Sequence, residues 1–223
     1  MGPAIGEILP LALGIAISPI PVIAAILMLL SPKARVTSVG FLLGWVLGIV
    51  VAVTAFTLLS SVLPEDDPDA SKPIRGVVQL ILGLLLLWLA LSQWRKRPKN
   101  GQEPVMPKWM QAIDKVTFPV ALGLGFLLSA VNPKNLIMAV GAGLAIGESE
   151  LAVGEIVVVI AVFTLLAAST VLVPVVGYLL AADRLRGTLD ALRGWLAQNN
   201  AIIMAVLLLV IGVSMLGKGI ASF

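Results

Sequence analysis

The sequence predicts an all-α membrane protein: six transmembrane helices arranged as two inverted three-helix repeats, with broken helices in spans 1 and 4. Composition, the placement of charge and a matched pair of proline breaks carry this prediction. Apolar residues make up 59% of the chain and the mean hydropathy is +1.07, whereas soluble domains use about 45–50% apolar residues. A spanning helix needs ~20 apolar residues, so six spans and their connections nearly exhaust a chain of 223 residues. No sizeable soluble domain fits in what remains.

Apolar segments run over about 4–30, 37–62, 74–94, 117–146, 151–181 and 199–221. The connections between them differ in charge. Ser31-Pro32-Lys33-Ala34-Arg35 is a tight basic turn, Pro64 to Asp69 is acidic and Pro-broken, and Arg95 to Lys115 is long and basic. Gly147-Glu148-Ser149-Glu150 is a short acidic turn, and Asp183 to Asn200 is basic and amphipathic. Connections one, three and five carry eleven of the 15 basic residues. Lys and Arg mark cytoplasmic loops, so these three connections are expected in the cytoplasm and both termini outside it. The expected units are 1–94 as the first three-helix repeat, 95–116 as a basic cytoplasmic linker and 117–223 as the second repeat. Met1 to Glu7 has no basic stretch ahead of the apolar run, so the first segment reads as a retained span rather than a cleaved signal. Lipidation signals are absent from both ends.

The chain has no Cys and no His. Thiol chemistry, disulfides, zinc sites built from Cys or His, and His-based acid–base catalysis are therefore excluded. No buried carboxylate is available as acid, base or nucleophile, so the sequence does not read as an enzyme. No cofactor and no metal is implied. A Lys–Ser pair is the one formal route left to intramembrane catalysis.

Short words recur between the halves. Ala12-Leu13-Gly14-Ile15 resembles Ala121-Leu122-Gly123-Leu124, and Phe56-Thr57-Leu58-Leu59 matches Phe163-Thr164-Leu165-Leu166. Each word alone is weak, but their order favours three spans followed by three again. A three-span unit enters on one side and leaves on the other, so its second copy is inverted. Inverted repeats place a transporter's substrate site near the midplane between the copies.

The breaks locate that site. Asn132-Pro133-Lys134-Asn135 interrupts the apolar run of the fourth segment, and Ser18-Pro19-Ile20-Pro21 interrupts the first. Pro19, Pro21 and Pro133 remove backbone donors and break or kink a continuous helix. Ser or Asn followed by Pro is a helix-start pattern, with the polar residue as N-cap and Pro at the first helical position. Two half-helix N-termini then meet in the bundle, each with free N–H groups and a partial positive charge. Lys134 adds a full charge, at a cost of roughly 2.5–3.5 kcal/mol if unpaired near the bilayer centre. Lys134, Asn132, Asn135 and Ser18 are thus the candidate substrate-binding residues, suited to a carboxylate, phosphate or sulfate. The competing reading is a simple proline kink, with Lys134 satisfied by carbonyls or water.

Other features are compatible with packing alone. Gly40, Gly44 and Gly48 form a small-residue stripe that suits close helix approach, either within the protein or in a homodimer. Gly141, Gly143 and Gly147 thin the fourth segment. Thr54, Thr57, Ser169 and Thr170 either line a path or bond back to their own helices. Lys108 to Val116 and Asp183 to Gln198 have the spacing of interfacial helices that attract anionic lipid. Glu65 to Asp69 has no Ca²⁺-loop spacing and reads as a solvated loop.

A Pro motif in the first span paired with Asn-Pro-Lys in the fourth, within six spans, resembles the lysine-exporter (LysE) superfamily. Ser18-Pro-Ile-Pro21, followed by Val-Ile-Ala-Ala-Ile-Leu-Met-Leu-Leu and Ser31-Pro32, is most similar to its actinobacterial glycolipid- or sulfolipid-addressing (GAP, or Sap) branch. The amino-acid-exporter branch shows Pro-Gly-Pro where this chain has Pro19-Ile20-Pro21, and the thiol-electron-carrier branch needs paired Cys. The resemblance implies an exporter of cell-envelope lipid or glycolipid in a bacterial, actinobacterial, inner membrane. The residues themselves add an anionic cargo and alternating access around Lys134. The alternatives are export of amino acids or another small anion, and a non-transporting scaffold of a lipid-synthesis or export complex. Expected partners are an anionic lipid or small anion and the surrounding membrane lipids, not nucleic acid.

Overall fold

The computed structural model describes residues 1–60, 73–97 and 116–223. Six helices precede the last helical stretch: α1 (Gly2–Ala16), α2 (Pro19–Leu30), α3 (Ala34–Ser60), α4 (Pro73–Arg95), α5 (Phe118–Ala130) and α6 (Pro133–Gly147). The last stretch, Val153–Ile220, bends at Ala181, whose φ of −147° and ψ of 52° are not helical. It divides into α7 (Val153–Ala182) and α8 (Arg184–Ile220). No strand occurs among the described residues. The acidic connection 61–72 and most of the basic one, 98–115, including the amphipathic run from Lys108, lie outside the described residues.

Proline sets several of these starts. It occupies the first or second helical position of α1, α2, α5 and α6, where its missing N–H would have no intrahelical partner in any case. The α3, α4, α7 and α8 helices are each long and apolar enough to cross a membrane. The α1–α2 and α5–α6 pairs pass the same test together, bent by 53° and 61°, which brings the number of crossings to between four and six. Leu84, Val157, Leu180 and Val210 leave more than half of their surface outside the fold, an apolar exterior that belongs in lipid. The chain is a multi-pass membrane protein.

Each broken helix leans on the first long helix of the other half. A Cβ on Gly44 would overlap the Leu122 carbonyl, one on Gly48 would meet Ser129, and one on Gly125 would strike Phe41 and Trp45. The glycine stripe therefore brings the α3 backbone against α5. It is buried inside one chain and is not free to serve as a dimer face. Gly143 and Gly147 do the same for α6 against Phe56, Thr57 and Ser60 of α3. In the other direction, Thr170 of α7 donates to the Ala16 carbonyl at the end of α1 at 2.6 Å. The α4 and α8 helices close the bundle through Gly76 and Gly83, which face Gly219 and Gly212.

The run from Asp183 to Gln198 differs from the separate interfacial helix the sequence suggested. It is the first part of α8, which continues unbroken for 37 residues. Asn199 does not end it, because its side-chain amide donates to the Trp195 carbonyl one turn back at 2.9 Å, the local bond that lets Asn sit inside a helix. Leu189 is buried, and Leu196 and Ala197 pack against Ile20, Ile23 and Leu27 of α2. That leucine face is partly covered by protein, with Leu192 left 36% exposed.

Candidate functional site

The two breaks align position for position: Ser18 with Asn132, Pro19 with Pro133, Ile20 with Lys134 and Pro21 with Asn135. Before each break the backbone does the same thing. Ile17 donates to the Leu13 carbonyl at 2.9 Å and Val131 donates to the Leu127 carbonyl at 3.0 Å. The next carbonyls, Gly14 and Leu128, would accept from Ser18 and Asn132 in a continuing helix. Both residues have left the helix, with extended backbone at each, and the Ser18 N–H turns to the Ala16 carbonyl instead. Each break thus frees the carbonyl at the matching position, Gly14 or Leu128, and a side chain meets it.

The second break solves this locally. The Asn135 amide donates to the Leu128 carbonyl at 3.0 Å, and the Asn132 side chain caps α6 by accepting from the Lys134 N–H at 3.1 Å. At the first break the position matching Asn135 is Pro21, which has no donor to give. Its carbonyl is met from the other half: Lys134 Nζ donates to the Gly14 oxygen at 2.5 Å. Lys134 is 4% exposed. A cation at the carbonyl end of α1 also meets the negative end of that helix's dipole. Among the described residues the ion pairs are Lys218–Glu7 and Arg193–Asp190, and neither involves Lys134.

The break residues share one cavity of about 210 Å³, lined by Ser18, Pro19, Asn132, Pro133 and Lys134 together with Gln93 and Asn200. Ser18, Asn132 and Lys134 are thereby brought to one space. Asn135 is 1% exposed and faces the end of α5; its Oδ1 is buried with no hydrogen-bond partner. Ser18 makes no side-chain cap to α2. Leu89 and Gln93 line it from the last two turns of α4, which ends at Arg95, and Asn200, Met204 and Leu208 line it from the middle of α8. At the opposite end, Lys218 of α8 and Glu7 of α1 pair at 3.3 Å.

Gln93 and Asn200 were not singled out by sequence, and the Asn200 Oδ1 is another buried acceptor without a partner. Their signal was a polar residue at the edge of an apolar segment, on the side where the basic connections lie. Thr170 was one of four hydroxyls with two readings. Thr57 and Ser169 bond to their own helices, while Thr170 reaches α1. The arrangement offers a buried ammonium, an amide and a hydroxyl around a small space. It holds no grouping of the kind that ligates a metal among the described residues.

The family model described as Sap, sulfolipid-1-addressing protein, matches residues 8–221, which span both breaks and every helix. The chain belongs to the Sap family. No curated protein and no solved structure matches it. In this Sap-family chain the matched stretch includes both Lys134 and its acceptor Gly14.

Proposed function

We propose that this protein is a transporter that moves an anionic cell-envelope lipid or glycolipid, binding its headgroup at Lys134. The observation that carries the reading is a buried ammonium beside a cavity that Ser18, Gln93, Asn132 and Asn200 also line, with a backbone carbonyl as its partner among the described residues. An anionic oxygen is a stronger acceptor for Lys than a neutral carbonyl, because it adds the attraction of opposite charges to the hydrogen bond. A headgroup entering the cavity displaces Gly14 and draws Lys134 away from α1. Asn132 and Ser18 supply further hydrogen bonds, joined by Gln93 and Asn200, and Asn135 holds the end of α5. The family description names a sulfolipid, whose headgroup is an anion of the kind this cavity suits.

The proposal extends to mechanism and placement. The two halves are inverted repeats of three spans, as in the lysine-exporter superfamily, and rock against each other. The bilayer is a bacterial inner membrane, with both termini outside and the basic connections in the cytoplasm. In this state the cavity lies toward the cytoplasmic side, and the Glu7–Lys218 pair holds the outer end shut. A volume of about 210 Å³ is below the ~300–1,000 Å³ of typical ligand pockets. It holds a headgroup or a small anion, not a whole lipid, which keeps small-anion export as the second reading.

The test is translocation of a fluorescent phosphatidylglycerol by the protein reconstituted into vesicles. The Lys134→Gln and Lys134→Ala variants are expected to lose about tenfold or more of the rate, the equivalent of one charge-assisted hydrogen bond. Folded variants that both run at the parent rate would overturn the proposal and favour a scaffold. Inhibition by free amino acids would favour the small-anion reading.

A further inference from the structure

A second and larger space adjoins the first. It is an open groove of about 420 Å³ between α2, α7 and α8, and Ser18 and Pro19 line both it and the Lys134 cavity. Its wall is formed by Ala16, Val22, Val173, Pro174, Leu192 and Leu196. Of the three hydroxyls that line it, Ser18 sits at the edge shared with the cavity, and the other two are spent, since Ser169 donates to Leu166 at 2.7 Å and Thr170 to Ala16 at 2.6 Å. No donor from either remains for a ligand in the groove. Val173 is 68% exposed there and Leu192 is 36% exposed, so the groove reaches the outer surface of the bundle.

We propose that this groove is the acyl-chain subsite of the ligand whose headgroup occupies the Lys134 cavity. The inference rests on the headgroup reading above. A single amphiphile fits the pair of spaces, because polar and apolar linings meet at the shared Ser18–Pro19 edge. A hydrocarbon chain gains from each methylene removed from water and asks for no hydrogen bond. The occupant is one chain of an anionic lipid, entering sideways between α2, α7 and α8. The volume falls within the range of small-molecule pockets, ~300–1,000 Å³.

The experiment uses the full-length protein in nanodiscs with two photoactivatable probes. One is a phosphatidylglycerol and the other a phosphatidylcholine, each with a diazirine at the end of one acyl chain. Labelled positions are read by mass spectrometry. The expected result is phosphatidylglycerol label at Val173, Leu192 and Leu196 about tenfold above that at the lipid-facing controls Leu84, Val157 and Leu209. Val173→Trp and Leu196→Trp should each remove about tenfold of the groove label by filling the space that buries the methylenes. Each variant is accepted only with an unchanged unfolding temperature. Groove label no higher than at the controls means surrounding bilayer lipid only, and overturns the subsite. Equal groove labelling by both probes keeps the subsite and refutes the anionic headgroup. In Lys134→Gln, groove label should persist while the preference for phosphatidylglycerol disappears.

Discussion

The two breaks share a backbone path and differ in how it is satisfied. The second is self-contained: Asn132 caps α6, Asn135 takes the stranded Leu128 carbonyl, and glycines seal α5 and α6 onto α3. The first is dependent. Ser18 provides no side-chain cap, Pro21 has no donor, and from the other half Lys134 takes the stranded Gly14 carbonyl while Thr170 adds a second donor to the Ala16 carbonyl that the Ser18 N–H already meets. One break is rigid by its own means and the other is held by contacts that a ligand can take. Under the proposed function, α1–α2 is the element whose environment responds to a ligand and α5–α6 the frame it responds against.

The sealed side should be the most sensitive to added volume. Gly44→Leu forces a side chain into the Leu122 carbonyl and is expected to cost about 3 kcal/mol, the upper range for overpacking. Val173→Leu on the open side should stay within about 0.5 kcal/mol. Thermal unfolding in detergent compares the two, and equal losses would erase the contrast. Next in size is Lys134→Ala, which leaves the Gly14 carbonyl buried without a donor at a cost of about 1–3 kcal/mol. Adding Pro21→Asn copies the local solution of Asn135 into the first break. The double variant should regain stability but not transport. Recovery of both would mean that Lys134 is only a structural cap.

Smaller effects complete the comparison. Thr170→Val removes one donor to Ala16 and should lower stability by about 1 kcal/mol. Asn132→Ala should cost about 1 kcal/mol as a lost N-cap. Ser18→Ala should cost less, since Ser18 makes no cap bond. Unfolding midpoints of the single variants decide the order, and a larger loss at Ser18 than at Asn132 would reverse the assignment of rigid and dependent breaks.

Both breaks were legible because Ser-Pro and Asn-Pro in apolar runs each carry a backbone consequence that no tertiary contact can undo. The partner of Lys134 was not legible. The sequence offered no buried carboxylate, and its true acceptor is a backbone oxygen, which no residue type announces. The recurring words misled on register: aligned on the breaks, Ala12 to Ile15 does not fall on Ala121 to Leu124. Composition found the apolar helices but not the continuity of α8, where a leucine face that suited headgroups is partly covered by α2. The groove was invisible too, since it arises from how α2, α7 and α8 stand around Ser18 and Pro19, which no residue type announces.

The most direct test is a structure of the protein with an anionic lipid bound. The account predicts the headgroup in the cavity between Ser18 and Asn132, with Lys134 Nζ on the headgroup and released from the Gly14 carbonyl. A bound headgroup elsewhere, with Lys134 still on Gly14, would contradict it.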